Sequence, residues 1–206
     1  MLLHGGKAQE PSRITTRASE LIEDFKASRD QLAIHASREV VQLWCPPPGT
    51  LFKLNFDAAV FMDTESSGFG AVIRNSMGEV MAALSAKGPL VANSEEAEIL
   101  ACRKALEFAV EAGFQDVVVE GDNATVMNGL TADKPVNSWL GYIYEDARCL
   151  AMRLRSVSAS CVRRSANGVA HSLAKFARQL SDDYVWLEEQ PTPAIEALYA
   201  DSFATA

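Results

Sequence analysis

Three strand-like runs follow one another between Leu51 and Ala86, joined by short links. In Leu51–Phe61 the apolar Phe52, Leu54 and Phe56 alternate onto one face. Ser66-Ser67-Gly68-Phe69-Gly70 reads as a loop feeding a second strand, Ala71-Val72-Ile73-Arg74. Asn75-Ser76-Met77-Gly78 has the composition of a turn, and Glu79–Ala86 reads as a third strand. Links this short cannot hold the crossover that parallel neighbours need, so the three strands are expected to be antiparallel.

The pattern then alternates. Asn93-Ser94-Glu95-Glu96 has the form of a capping box, with Asn93 as cap and Glu96 three residues on. It opens a helix that runs to about Ala112 and stops at Gly113. Asp116–Glu120 reads as a strand, Asn123–Leu130 as a short helix, Trp139–Met152 as a helix, Val157–Val162 as a fifth strand and Asn167–Leu180 as a last helix. A meander followed by alternating helices and strands implies an α/β fold in which helices cover both faces of a mixed sheet.

The expected organisation has three parts. Residues 12–43 read as an amphipathic helix within an extension, 1–46, that Cys45-Pro46-Pro47-Pro48-Gly49 closes, because proline cannot continue a helix. The folded domain spans 47–180, and 181–206 form a tail. The extension is a candidate surface for a protein partner. The start of the chain lacks the apolar stretch of a signal peptide, and no run is long enough to span a membrane, so the expected setting is intracellular, in cytoplasm or nucleus. Four scattered cysteines without metal-ligand spacing fit free thiols in a reducing compartment.

The net charge of −8 argues against general adhesion to nucleic acid, but the charge is unevenly spread. Residues 141–180 carry seven Lys or Arg against two acids, a local surface of +5 on an otherwise acidic protein. Such a stretch serves either as a solvated helix face or as a phosphate-binding surface.

Three acids stand where a carboxylate is awkward. Asp57 lies within an apolar strand, on the face it shares with Lys53 and Asn55. Glu98 lies near a helix start, and its neighbours three, four and seven residues on are Ala101, Cys102 and Ala105, a small-residue face suited to close packing on a sheet. Asp122 follows Val117-Val118-Val119 at the end of a strand. Taken singly, Glu98 could favour the helix dipole and Asp122 could cap the next helix. Taken together, carboxylates on adjacent parallel strands and the intervening helix would meet, and they cannot all stay ionised without a cation. Oxygen ligands in this number suit Mg²⁺.

Lys53-Leu54-Asn55-Phe56-Asp57-Ala58-Ala59, Gly68-Phe69-Gly70-Ala71-Val72-Ile73-Arg74, Glu95-Glu96-Ala97-Glu98-Ile99-Leu100-Ala101 and Val119-Glu120-Gly121-Asp122-Asn123 resemble, in order and spacing, ribonuclease H type 1. With Arg163-Arg164-Ser165-Ala166-Asn167-Gly168-Val169-Ala170-His171-Ser172-Leu173-Ala174-Lys175 as a closing motif, the resemblance is to its plant retrotransposon-derived, reverse-transcriptase-like branch. It covers about residues 47–180. The resemblance implies an RNase H-like three-layer fold with a five-stranded mixed sheet of order 3-2-1-4-5. It also implies hydrolysis of the RNA strand of RNA–DNA hybrids to a 5′-phosphate and a 3′-hydroxyl. Asp57, Glu98 and Asp122 match metal-binding carboxylates. The implied cofactor is Mg²⁺, with Mn²⁺ as a second candidate. The implied scheme uses two ions about 3.5–4 Å apart, one at the attacking water and one at the leaving oxygen.

The fourth carboxylate of the family falls on His171, whose imidazole can bind a divalent ion or shuttle a proton but is a poorer Mg²⁺ ligand. Asn93, Ser94, Arg163, Arg164 and Asn167 are the implied substrate contacts; Asn93, Ser94 and Asn167 have helix capping as their ordinary alternative. No long basic insertion separates Asp122 from Trp139. The alternative function is a catalytically weak or inactive nucleic-acid-binding or interaction module domesticated from a retrotransposon.

Overall fold

A computed structural model describes residues 42–132 and 138–202. The extension helix expected over 12–43 lies, save its last two residues, outside the described residues, and so does its candidate partner surface.

The sheet is built around β1 (Phe52–Phe61). It pairs antiparallel with β2 (Ser66–Arg74), which pairs antiparallel with β3 (Val80–Gly88). On its other side β1 pairs parallel with β4 (Asp116–Gly121), which pairs parallel with β5 (Ser156–Cys161). The antiparallel meander expected from the short links is therefore present. β2 is longer than its apolar run suggests, because Ser66–Gly70 is strand and not loop. Two glycines in five residues resemble a turn by composition, but here they serve a close approach described below.

The sheet has six strands and not the expected five, in the order β5-β4-β1-β2-β3-β6. The sixth, β6 (Tyr184–Leu187), pairs antiparallel with β3 through Ser85↔Tyr184 to Ala82↔Leu187. Four residues with three exposed side chains give little periodicity to read. What makes them a strand is the open edge of β3, about a hundred residues away, whose unpaired backbone groups need partners.

Both faces of β1 are buried. Leu54 and Phe56 point to one side, where α1 (Ser94–Glu111) lies and α3 (Trp139–Ala151) is layered with it. The helix α1 starts as its residues dictate: Asn93 Oδ1 accepts from the Glu96 amide at 2.9 Å, and Glu96 Oε2 accepts from the Ala92 amide at 2.7 Å. Its buried stripe of Ala97, Ala101, Cys102 and Ala105 lets its backbone approach the sheet. The short α2 (Ala124–Thr131) follows β4. On the opposite face, α4 (Gly168–Phe176), continued by a 3-10 turn at Ala177–Gln179, packs with α5 (Ile195–Ser202). A second core forms there from Val72, Ala83, Val169, Leu173, Trp186 and Ala194. Among the described residues no helix is long and apolar enough to cross a membrane.

Candidate metal centre

The parallel register of β1 and β4 ends at Asn55↔Glu120, and two residues further on it brings Asp57 level with Asp122, just past the end of β4. Ligand sites of open α/β sheets form at such strand ends. Asp57 is 1% exposed. Asp122 does not cap α2; Asn123 does, its Oδ1 accepting from the Val126 amide at 3.2 Å. Glu98, in the first half of α1, reaches the same point, with one carboxyl hydrogen bond from the Ala58 amide and another with Asp57. Its Oε2 is buried without a hydrogen-bond partner. One carboxylate oxygen from each of Asp57, Glu98 and Asp122 lies within 4.8 Å of the other two.

Proximity has an electrostatic consequence. Burial first, and then the negative charges of Asp57 and Asp122, push the Glu98 carboxyl up to about 9. Burial and Asp57 also raise Asp122, against the opposing pull of Arg164 and His171. Near neutral pH Glu98 therefore keeps its proton. A divalent cation would replace that proton, relieve the repulsion and engage the orphaned Oε2. Three carboxylates with an unsatisfied buried oxygen fit a hard, oxygen-preferring dication.

α4 brings His171 to this cluster, with its Nδ1 2.6 Å from Asp57 Oδ2. Arg164 Nη2 is 2.9 Å from the other ring nitrogen. The ring therefore bridges Asp57 and Arg164. The helix can lie this close because Gly68 and Gly70 face it: a Cβ on either would collide with the α4 backbone at Ala174 or Ala170. Ser85 Oγ also donates to Leu173 O at 2.8 Å, and so ties β3 to the same helix.

The remaining sequence-derived candidates divide by exposure. Asn167 is 1% exposed and neither caps α4 with its side chain nor reaches outward. Its Nδ2 donates to Phe56 O at 2.8 Å, next to Asp57, which locks the start of α4 onto β1. Asn93 and Ser94 are exposed at the start of α1, where the Asn93 side-chain oxygen is occupied as a cap. Arg163 and Arg164 are exposed. The Arg163 amide donates to Gln42 Oε1 at 2.8 Å, and Ser165 Oγ donates to Gln42 O at 2.8 Å, so the segment before β1 steadies this turn.

Beneath the cluster runs a polar network that the sequence reading did not identify. Lys53 pairs with Glu120 at 2.7 Å, and Asn55 Nδ2 donates to Glu120 Oε2 at 3.0 Å. Asn55 Oδ1 accepts from Trp44 Nε1 at 3.0 Å and from Arg74 Nη2 at 3.1 Å. Arg74, 1% exposed, stacks over the Trp44 ring at 3.6 Å and pairs with Asp201 of α5 at 2.6 Å. The available signal was the stripe Lys53, Asn55, Asp57 along one strand face; the partner acid 127 residues from Arg74 had none.

The model of the reverse transcriptase-like family matches residues 55–177. RNase H1 of the archaeon Halobacterium salinarum is 28% identical with a TM-score of 0.57, over 63% of this chain and 98% of that one. The N-terminal RNase H domain of a Mycobacterium tuberculosis protein, solved as a fusion with maltose-binding protein, is 23% identical with a TM-score of 0.56, over 64% and 95%. An RNase H1 isolated from compost by a metagenomic approach shares the fold at 20% identity, with a TM-score of 0.56 over 63% and 96%. No curated protein matches. With the matched segment covering most of the domain and the fold shared with these structures, the chain belongs to the reverse transcriptase-like family and carries an RNase H-like domain.

Proposed function

We propose that this protein is a divalent-cation-dependent nuclease that hydrolyses the RNA strand of RNA–DNA hybrids. The observation that carries the reading is the convergence of Asp57, Glu98 and Asp122 within 4.8 Å at the strand ends of an RNase H-like sheet. These three side chains would hold the ion, Mg²⁺ by its preference for oxygen, with Mn²⁺ as the substitute. When bound, the cation supplies Lewis-acid polarisation of the scissile phosphate and an acidified water.

The chain's own groups do the rest. Glu98 gives up its proton on loading, because its charge is tolerated only beside a cation. His171, its Nδ1 engaged by Asp57, stands at the rim, where its other ring nitrogen can take up a proton and return it to the departing oxygen. Arg164, beside His171, faces the same region with a fixed positive charge suited to a phosphate. Arg163, Asn93 and Ser94 are exposed, and they are the residues we assign to the backbone and 2′-hydroxyls of a bound strand.

The test is a hybrid labelled on each strand in turn, with RNA–RNA and DNA–DNA duplexes beside it. Mg²⁺-dependent shortening of the RNA strand of the hybrid alone supports the reading; no cleavage of any substrate contradicts it. One observation favours a second reading, a binding module without turnover. One of the two Asp57 carboxylate oxygens, Oδ2, is already bonded to His171. Tight hybrid binding with no metal-dependent cleavage would select that reading.

A further inference from the structure

The segment beyond the family match builds a groove beside the metal centre. Residues after 177 add β6 and the turn at Thr192–Ala194, and with the outer side of α4 they enclose an open cavity of about 680 Å³. Tyr184, Trp186 and Phe176 form its aromatic wall, with Tyr184 and Trp186 ring centroids 4.5 Å apart and Phe176 and Trp186 centroids 6.1 Å apart. Trp186 is 7% exposed and is the anchor, whereas Tyr184 is 51% exposed and offers its ring to solvent. Lys175 and Gln179 add polar groups at the rim. Among the described residues Lys175 has no ion-pair partner.

Successive helix residues turn by about 100°. His171 and Lys175 therefore lie one turn apart on one stripe, and Ser172 and Phe176 lie next to it on the groove side. The outer surface of α4 thus leads without interruption from the imidazole on Asp57, past a free ammonium group, to an exposed aromatic ring. The cavity exceeds what a single nucleotide needs. Base stacking on an aromatic face, together with a lysine on the backbone, is the sequence-tolerant way in which proteins hold single strands.

We propose that the groove between α4 and β6 binds an unpaired nucleotide of the strand that continues out of the metal centre, with its base on Tyr184 and its phosphate on Lys175. This deepens the nuclease reading and rests on it for the direction of the strand, but the groove itself is a binding site for single-stranded nucleic acid. The protein would then favour hybrids with a frayed or overhanging end.

The test measures binding without cleavage, by fluorescence anisotropy of the full chain with metal withheld. It compares a blunt hybrid with hybrids bearing a single-stranded RNA or DNA overhang. An overhang is expected to tighten binding about fivefold or more, as one stacked base and one phosphate contact would. The advantage should fall to about onefold in Tyr184→Leu and in Lys175→Ala, and should persist in Tyr184→Phe, which keeps the ring. No overhang advantage in the wild type, or an advantage unchanged in folded Tyr184→Leu and Lys175→Ala, overturns the proposal. Absence of cleavage in a separate assay with Mg²⁺ would sink the nuclease reading and leave an overhang advantage standing.

Discussion

His171 Nδ1 lies 2.6 Å from Asp57 Oδ2, so the residue at the fourth position of the cluster is bonded directly to the first. An imidazole bonded to Asp57 fixes where that carboxylate points. His171→Ala is therefore expected to lower the rate of hybrid cleavage by about a hundredfold, the scale of a lost proton-transfer group. His171→Asp, which would add a fourth oxygen donor, should tighten Mg²⁺ binding. Single-turnover cleavage and metal titration on the two variants check this.

Metal binding should release a proton. The Glu98 carboxyl is raised to about 9, so at pH 7 the metal-free site holds one proton that a cation must displace. Calorimetry in two buffers of different ionisation enthalpy should give close to one proton released per site, and affinity should rise by up to about tenfold per pH unit between pH 5 and 8. Glu98→Gln should abolish the release.

The same shift makes the metal-free protein more stable in acid. The folded-state value lies above the ordinary 4.5, so the stabilisation is fully present below about 4.5 and is lost as pH rises through about 9. Urea unfolding at pH 5 and pH 8 should show this decline without Mg²⁺, and saturating Mg²⁺ should reduce it.

Gly70→Ala should do damage out of proportion to one methyl group. The new Cβ would meet the Ala170 carbonyl and the Ala174 amide, which belong to backbone and cannot rotate away. A loss of about 1–3 kcal/mol in stability is expected, with a further loss of activity as α4 carries His171 off Asp57. Thermal unfolding and cleavage of the same sample separate the two effects.

Asp201→Ala should destabilise the domain by roughly 3–5 kcal/mol, because it leaves the Arg74 guanidinium, 1% exposed, without its anion. Asp201→Asn, which keeps a hydrogen-bond acceptor, should cost less. Denaturant midpoints would show it.

What could be read from the chain depended on how far each structural cause reached along it. The meander β1–β3 follows from short links, and the start of α1 from Asn93 and Glu96, all local causes. Asp57 and Glu98 stood out because each sits on a face that nearby residues mark as buried. Gly68 and Gly70 misled, because a glycine that admits a helix more than a hundred residues later looks like a glycine that turns. β6 and the Arg74–Asp201 pair also depend on distant partners, the β3 edge and α5, so residues 181–202 read as a tail although they complete the sheet and its buried network.

The most direct measurement is the rate at which pure protein cleaves a labelled RNA–DNA hybrid in Mg²⁺, with Asp57→Asn beside it and EDTA as the blank. The wild type should give shortened RNA bearing 5′-phosphate ends, and Asp57→Asn a rate at least about a thousandfold lower, the scale of losing metal-assisted catalysis. Equal rates for the two proteins, or wild-type cleavage that persists in EDTA, would contradict the nuclease reading.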